Sequence, residues 1–152
     1  MMRRFLLILL IALMPLAISC RPVVNTETSA MVDPRAGGDF NKFFPKDEGD
    51  YNVLYTQEKE GFAQAKLNLN GTEVATLAVS DTVISVDALD KFKDSKEEIA
   101  GYPAAAVGAL GTAVLVGDRF QVQVRSKDAS FSADDREAWI EKFDLAGLAA
   151  LK

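Results

Sequence analysis

The chain has no histidine, and among its 152 residues there is one cysteine and one tryptophan. Without histidine the serine–histidine and cysteine–histidine nucleophile pairs cannot be built, and a zinc ion would have carboxylates alone to bind it. A single cysteine, Cys20, excludes an internal disulfide. Neither a phosphate-cradling glycine loop nor a dinucleotide fingerprint is present. Long apolar runs are missing too: Phe5–Ile18 has fourteen uncharged residues and Ala104–Val116 thirteen, against about twenty for a membrane-spanning helix. Carboxylate-pair chemistry is left by elimination, because Asp and Glu are plentiful, but no feature singles out two of them. The sequence therefore predicts a protein that is not an enzyme, with no cofactor and no metal.

What the chain does have is a patterned N-terminus. Met1-Met2-Arg3-Arg4 supplies positive charge, Phe5–Ile18 an apolar stretch of signal-peptide length interrupted by Pro15, and Leu16-Ala17-Ile18-Ser19-Cys20 ends it on the cysteine. This ending resembles the lipobox of bacterial lipoproteins, with Ser19 in the small-residue position and Ala17 and Ile18 in tolerated ones. The resemblance covers residues 1–20 only and implies a signal peptide over 1–19, removed when Cys20 is alkylated with diacylglycerol and becomes the first mature residue. Two or three acyl chains, at about 0.8 kcal/mol per buried methylene, would hold the protein at a membrane permanently. Arg21, where an Asp would retain the protein at the inner membrane, favours the outer membrane in a diderm with enteric-type sorting. The alternative is an ordinary secretory signal cleaved after Ala17 or Ser19.

Cleavage before Cys20 removes Arg3 and Arg4, so fifteen basic residues face 22 acidic ones and the net charge is about −7. An acidic domain is a poor partner for nucleic acid or anionic lipid. Residues 20–38, with Pro22, Pro34 and Gly37-Gly38 and no periodicity, read as a lipid-attachment cysteine followed by a flexible tether. Residues 39–152 are enough for one hydrophobic core and too few for two.

Within that domain the periodicity predicts an α+β fold: an antiparallel sheet of about five strands, with a middle and a C-terminal helix packed on one face. A first strand is expected over 52–57. In 62–69, Ala63, Ala65, Leu67 and Leu69 alternate with Gln64, Lys66 and Asn68, and Asn70-Gly71 signals a hairpin to 72–79. A two-residue turn would mix the faces, so a three-residue loop Leu69-Asn70-Gly71 is expected, with Gly71 left-handed at a bulge that unites Ala65, Leu67, Ala75 and Leu77. The stretch 86–99, with Val86, Leu89, Phe92 and Ile99, reads as an amphipathic helix whose many acids form a solvated face rather than a calcium loop. Residues 104–116 read as one or two strands. A Gly117-Asp118 turn then joins 112–116 to 119–125, setting Leu115 opposite Phe120 and Ala113 opposite Val122. Ser132 with Asp134 and Asp135 marks a helix start, Trp139 is its sheet-packing anchor, and Asp144 restarts a short helix with Leu145 and Leu148.

Three features carry functional readings. The lipobox resemblance makes Cys20 the expected lipidation site. Arg119, Gln121, Gln123 and Arg125 line one strand face, either as the wet side of a sheet or as a contact for an anion or a partner's carboxylates. Phe40, Phe43 and Phe44 either fasten the domain's N-terminal edge to the core or form a partner patch. These features predict a non-catalytic binding or accessory module of a cell-envelope complex, anchored by acyl chains and facing the periplasm or exterior. The alternatives are a small-ligand or anion carrier, and a structural envelope protein without a specific partner.

Overall fold

The computed structural model describes residues 32–151. They form an α+β domain on one antiparallel sheet of seven strands, in the order β1-β2-β3-β7-β6-β5-β4. The strands are β1 (Tyr51–Lys59), β2 (Phe62–Leu69), β3 (Thr72–Asp81), β4 (Glu97–Ile99), β5 (Tyr102–Ala106), β6 (Gly111–Val116) and β7 (Phe120–Ser126). Two meanders, β1–β3 and β4–β7, meet where β7 pairs with β3, so the two strands that end the meanders lie side by side at the centre. Helices α1 (Ala133–Glu141) and α2 (Leu145–Ala149) and a 3-10 helix, η1 (Gly37–Phe43), cover one face.

The core lies on that face and follows strand alternation. Ala63, Ala65 and Leu67 of β2, Ala75, Leu77 and Val79 of β3, Val122 and Val124 of β7, and Val114 and Val116 of β6 are all fully buried. Trp139 packs its ring 5.0 Å from that of Tyr51. Phe40 meets Phe120 edge to face at 5.7 Å, and Phe44 lies 5.1 Å from Phe143. Ser132 caps α1 in a reciprocal capping box with Asp135, whose pKa is held low by the Ser132 hydroxyl and amide. Asp144 caps α2 by accepting from the Gly147 amide.

Both hairpins that frame the sheet centre combine a tight turn with a bulge. Asn70 and Gly71 are left-handed, as a type I′ turn requires, and pair Leu69 with Thr72. The register then slips at Val74, so Leu67 faces Ala75 and Ala65 faces Leu77. The expected face grouping is present, but the loop has two residues, not the expected three, and the bulge sits on β3 rather than at Gly71. In the second hairpin, Gly117 and Asp118 form the expected two-residue turn, yet Val116 pairs with Phe120 and Val114 with Val122. The extra residue is Arg119. This corrects the expected pairing of Leu115 with Phe120, which would have left Val114 and Val116 off the core.

The number of strands and the middle helix also differ from expectation. Residues 86–99 are not one helix: Val86–Phe92 is a 3-10 helix (η3), which follows a single 3-10 turn, η2 (Thr82–Ile84), and Glu97–Ile99 is strand β4. Ala100 and Gly101, both left-handed, turn β4 into β5. The reason is burial on two sides. Ile99 joins the main core, while Phe92 is buried apart from it, next to Lys91, which bonds Gln121 on the opposite face. A single α-helix would have put residues seven apart on the same side.

Candidate functional site

The polar stripe predicted on β7 is split by the bulge. Arg119 is turned away from Gln121, Gln123 and Arg125 and clamps Asp81, a fully buried carboxylate at the end of β3. Its Nε donates to Oδ1 at 3.0 Å and its Nη2 to Oδ2 at 2.7 Å, the bidentate geometry that suits a guanidinium. Burial pulls the Asp81 pKa upward, but hydrogen bonds from Arg119 and from the Arg35 and Val83 amides outweigh it and leave the carboxyl below its ordinary value. Arg119 is therefore occupied inside the fold rather than available to a partner.

The same junction holds the incoming chain. Arg119 Nη2 also donates to the Asp33 carbonyl at 2.9 Å, and the Gly61 amide donates to the Arg35 carbonyl at 2.6 Å. Gly37 then passes so close to the β1–β2 turn that a Cβ would stand 2.3 Å from the Phe62 carbonyl oxygen. Residues 33–38, given to the tether by their composition, are thus seated on the domain.

Gln121, Gln123 and Arg125 remain on the face opposite the core. Gln121 is buried beneath η3, where its Oε1 accepts from Lys91, whose own pKa is lowered by burial. Its amide donates to Gln123 Oε1 at 3.3 Å. Cross-strand rows extend this surface: Gln123 lies beside Ala78 and Gln64, and Arg125 beside Thr76, Lys66 and Leu54. Lys66 and Arg125 are exposed, and Leu54 is half exposed. Lys66 pairs with Glu73 at 2.7 Å, and that hydrogen bond holds the Glu73 carboxyl below its usual range. This is an open, hydrogen-bonding sheet face with Leu54 at its β1 border.

Phe40, Phe43 and Phe44 do not form a surface patch. All three are buried in the core, as the fastening alternative expected. Cys20 lies outside the described residues.

A further residue was not singled out by the sequence reasoning. Arg136 of α1 is only 7% exposed. Its Nε donates to Thr112 Oγ1 at 2.9 Å and its Nη1 to Ser126 Oγ at 3.0 Å. Among the described residues no carboxylate comes within ion-pair distance of it. The signal was present in the spacing, since Arg136 stands three and four residues before Trp139 and Ile140 and so shares their buried face. Arg136 lines a cleft of ≈ 380 Å³ between α1 and the β4–β5 end of the sheet.

Among the described residues, no group of three or more metal-ligating side chains is assembled, and no helix is long and apolar enough to cross a membrane. Compared with protein-family models, with curated proteins and with solved structures, the chain matches none.

Proposed function

We propose that this chain is an exported lipoprotein whose folded domain is a non-catalytic binding module, tethered through acyl chains on Cys20 and working by protein contacts in a cell-envelope complex. The observation that carries the anchoring is the uncharged run that ends in Leu16-Ala17-Ile18-Ser19-Cys20 after Met1-Met2-Arg3-Arg4. Support for the binding role comes from the sheet face across β1, β2, β3 and β7. There Gln64, Lys66, Thr76, Gln123 and Arg125 offer donors and acceptors on a rigid surface, with Leu54 at its border. Arg119, Phe40, Phe43 and Phe44 no longer belong to that surface, because the fold uses them internally.

In this reading the root of the tether is the Asp81–Arg119 junction. Thirteen residue steps separate Cys20 from Asp33, which at about 3.5 Å each allows a reach of at most about 45 Å from the membrane. The domain then meets partners close to the surface that holds its lipid.

The test is intact-mass analysis of the membrane fraction from wild type and Cys20→Ala, followed by crosslinking and pull-down. A lipid-sized mass increment lost in the mutant, with a co-purifying envelope protein whose capture falls when Gln123 and Arg125 are replaced, is the expected result. An unmodified, soluble wild-type protein would overturn the anchoring.

A further inference from the structure

We propose that the cleft beside Arg136 is a binding site for a small zwitterion, an amino acid or short peptide that presents its carboxylate to the Arg136 guanidinium and its ammonium to the acidic rim. The site stands whether or not Cys20 carries lipid. A guanidinium is costly to bury unless its charge is answered, and buried charges in folded proteins are normally paired. Arg136 is 93% buried, from its 7% exposure, yet both of its side-chain partners are neutral hydroxyls. Those hydroxyls fix the plane of the guanidinium, and the Ser126 hydroxyl is itself locked by donating to the Phe131 carbonyl at 2.6 Å. Arg136 Nη2 has no hydrogen-bond partner among the described residues, and it is not one of the fully enclosed atoms left without one. The Nη2 donors of a rigidly held cation are therefore free, and that cation lines a cleft whose ≈ 380 Å³ falls within the usual range of ligand sites.

The rest of the lining selects the ligand. Glu97 and Glu98 on the β4 wall and Glu137 on the α1 wall line the cleft as exposed carboxylates, and none has a cationic partner among the described residues. They lie beyond ion-pair distance of Arg136, so the cleft holds unmatched charges of both signs, kept apart. A simple anion such as phosphate would gain Arg136 and be repelled by the rim. A zwitterion satisfies both, and the small side chains of Ala104, Ala106 and Ala133 leave room for its main chain.

The experiment is a titration of the uniformly ¹⁵N-labelled full chain, in detergent micelles, with glycyl-alanine, alanine, N-acetyl-glycyl-alanine and inorganic phosphate. The backbone amides of Ala104, Ala106 and Ala133 are followed. Expected are saturable shifts with a zwitterion and at least ten-fold weaker binding of the acetylated dipeptide and of phosphate. Alanine binding as tightly as the dipeptide assigns the site to a free amino acid, and tighter dipeptide binding assigns it to a peptide. Arg136→Gln weakens binding at least ten-fold. The triple variant Glu97→Gln, Glu98→Gln and Glu137→Gln keeps the guanidinium and its hydroxyl partners, and it abolishes the preference for the free amine even if Arg136→Gln fails to fold. No saturable shift with either zwitterion, equal affinity for the acetylated dipeptide, or undiminished binding by folded Arg136→Gln would overturn the proposal.

Discussion

Two arginines sit at opposite ends of this sheet's core, and their surroundings differ in one decisive respect. Arg119 meets a buried carboxylate, Asp81, in a bidentate pair, while Arg136 meets only the hydroxyls of Thr112 and Ser126. The first cation is neutralised within the fold, and its work is architectural: it ties together β3, the β6–β7 turn and the incoming chain at Asp33. The second is held in place but not neutralised. Of the two arginines on the predicted polar stripe, Arg119 is structural, and the arginine with free Nη2 donors was hidden on the buried face of a helix.

The comparison can be broken most forcefully at Arg119. Arg119→Met leaves the Asp81 carboxylate buried without its counter-ion and should cost about 3–5 kcal/mol, read from urea melts. Adding Asp81→Asn to that variant should recover at least about 1 kcal/mol, because it removes the unpaired charge. A loss below about 1 kcal/mol in Arg119→Met would show that the pair does not hold the junction.

Acid sharpens the same contrast. Since the folded Asp81 carboxyl lies below its ordinary value, its contribution is complete above about pH 3.9 and is lost as pH falls through the lowered folded value. In Arg119→Met, burial is opposed only by the Arg35 and Val83 amides and the pKa lies higher than in wild type, so the deficit relative to wild type should shrink on acidification. Urea melts at pH 7 and pH 3 measure it, and a deficit that grows in acid would contradict the assignment.

Arg136→Met should be milder, about 1–3 kcal/mol, since two hydrogen bonds from a charged donor are lost but no unpaired charge is created. Its loss should also be nearly independent of pH between 3 and 7. Smallest of all, Gln123→Ala with Arg125→Gln on the open face should change stability by no more than about 0.5 kcal/mol, while reducing capture of an envelope partner.

Much of the fold was legible where one residue pattern had one explanation. Alternation in β2 and β3, the Asn70-Gly71 turn, the Ser132 cap and the Trp139 anchor are all present, and the domain is α+β on an antiparallel sheet. Errors arose where two faces compete for the same segment. Residues 86–99 satisfy a helical spacing, but Phe92 and Ile99 are buried on opposite sides of the sheet, which no single helix allows. Seven strands replace about five because the end of that segment becomes β4 and residues 104–116 divide into β5 and β6. The β6–β7 register was not legible because the Gly117-Asp118 turn is compatible with pairing either with or without an extra residue at Arg119. That one extra residue moves Val114 and Val116 into the core and turns Arg119 from the polar stripe toward Asp81. Asp81 lies 38 residues from Arg119, so their pairing needed the β3–β7 contact to become visible.

The contrast between the two arginines can be read in one experiment, by following the ¹⁵N–¹H signals of the arginine Nε groups while glycyl-alanine is added to the full chain. The account predicts that the Arg136 signal moves and saturates while the Arg119 signal, closed against Asp81, stays fixed. Movement of Arg119, or no movement of Arg136, would contradict it.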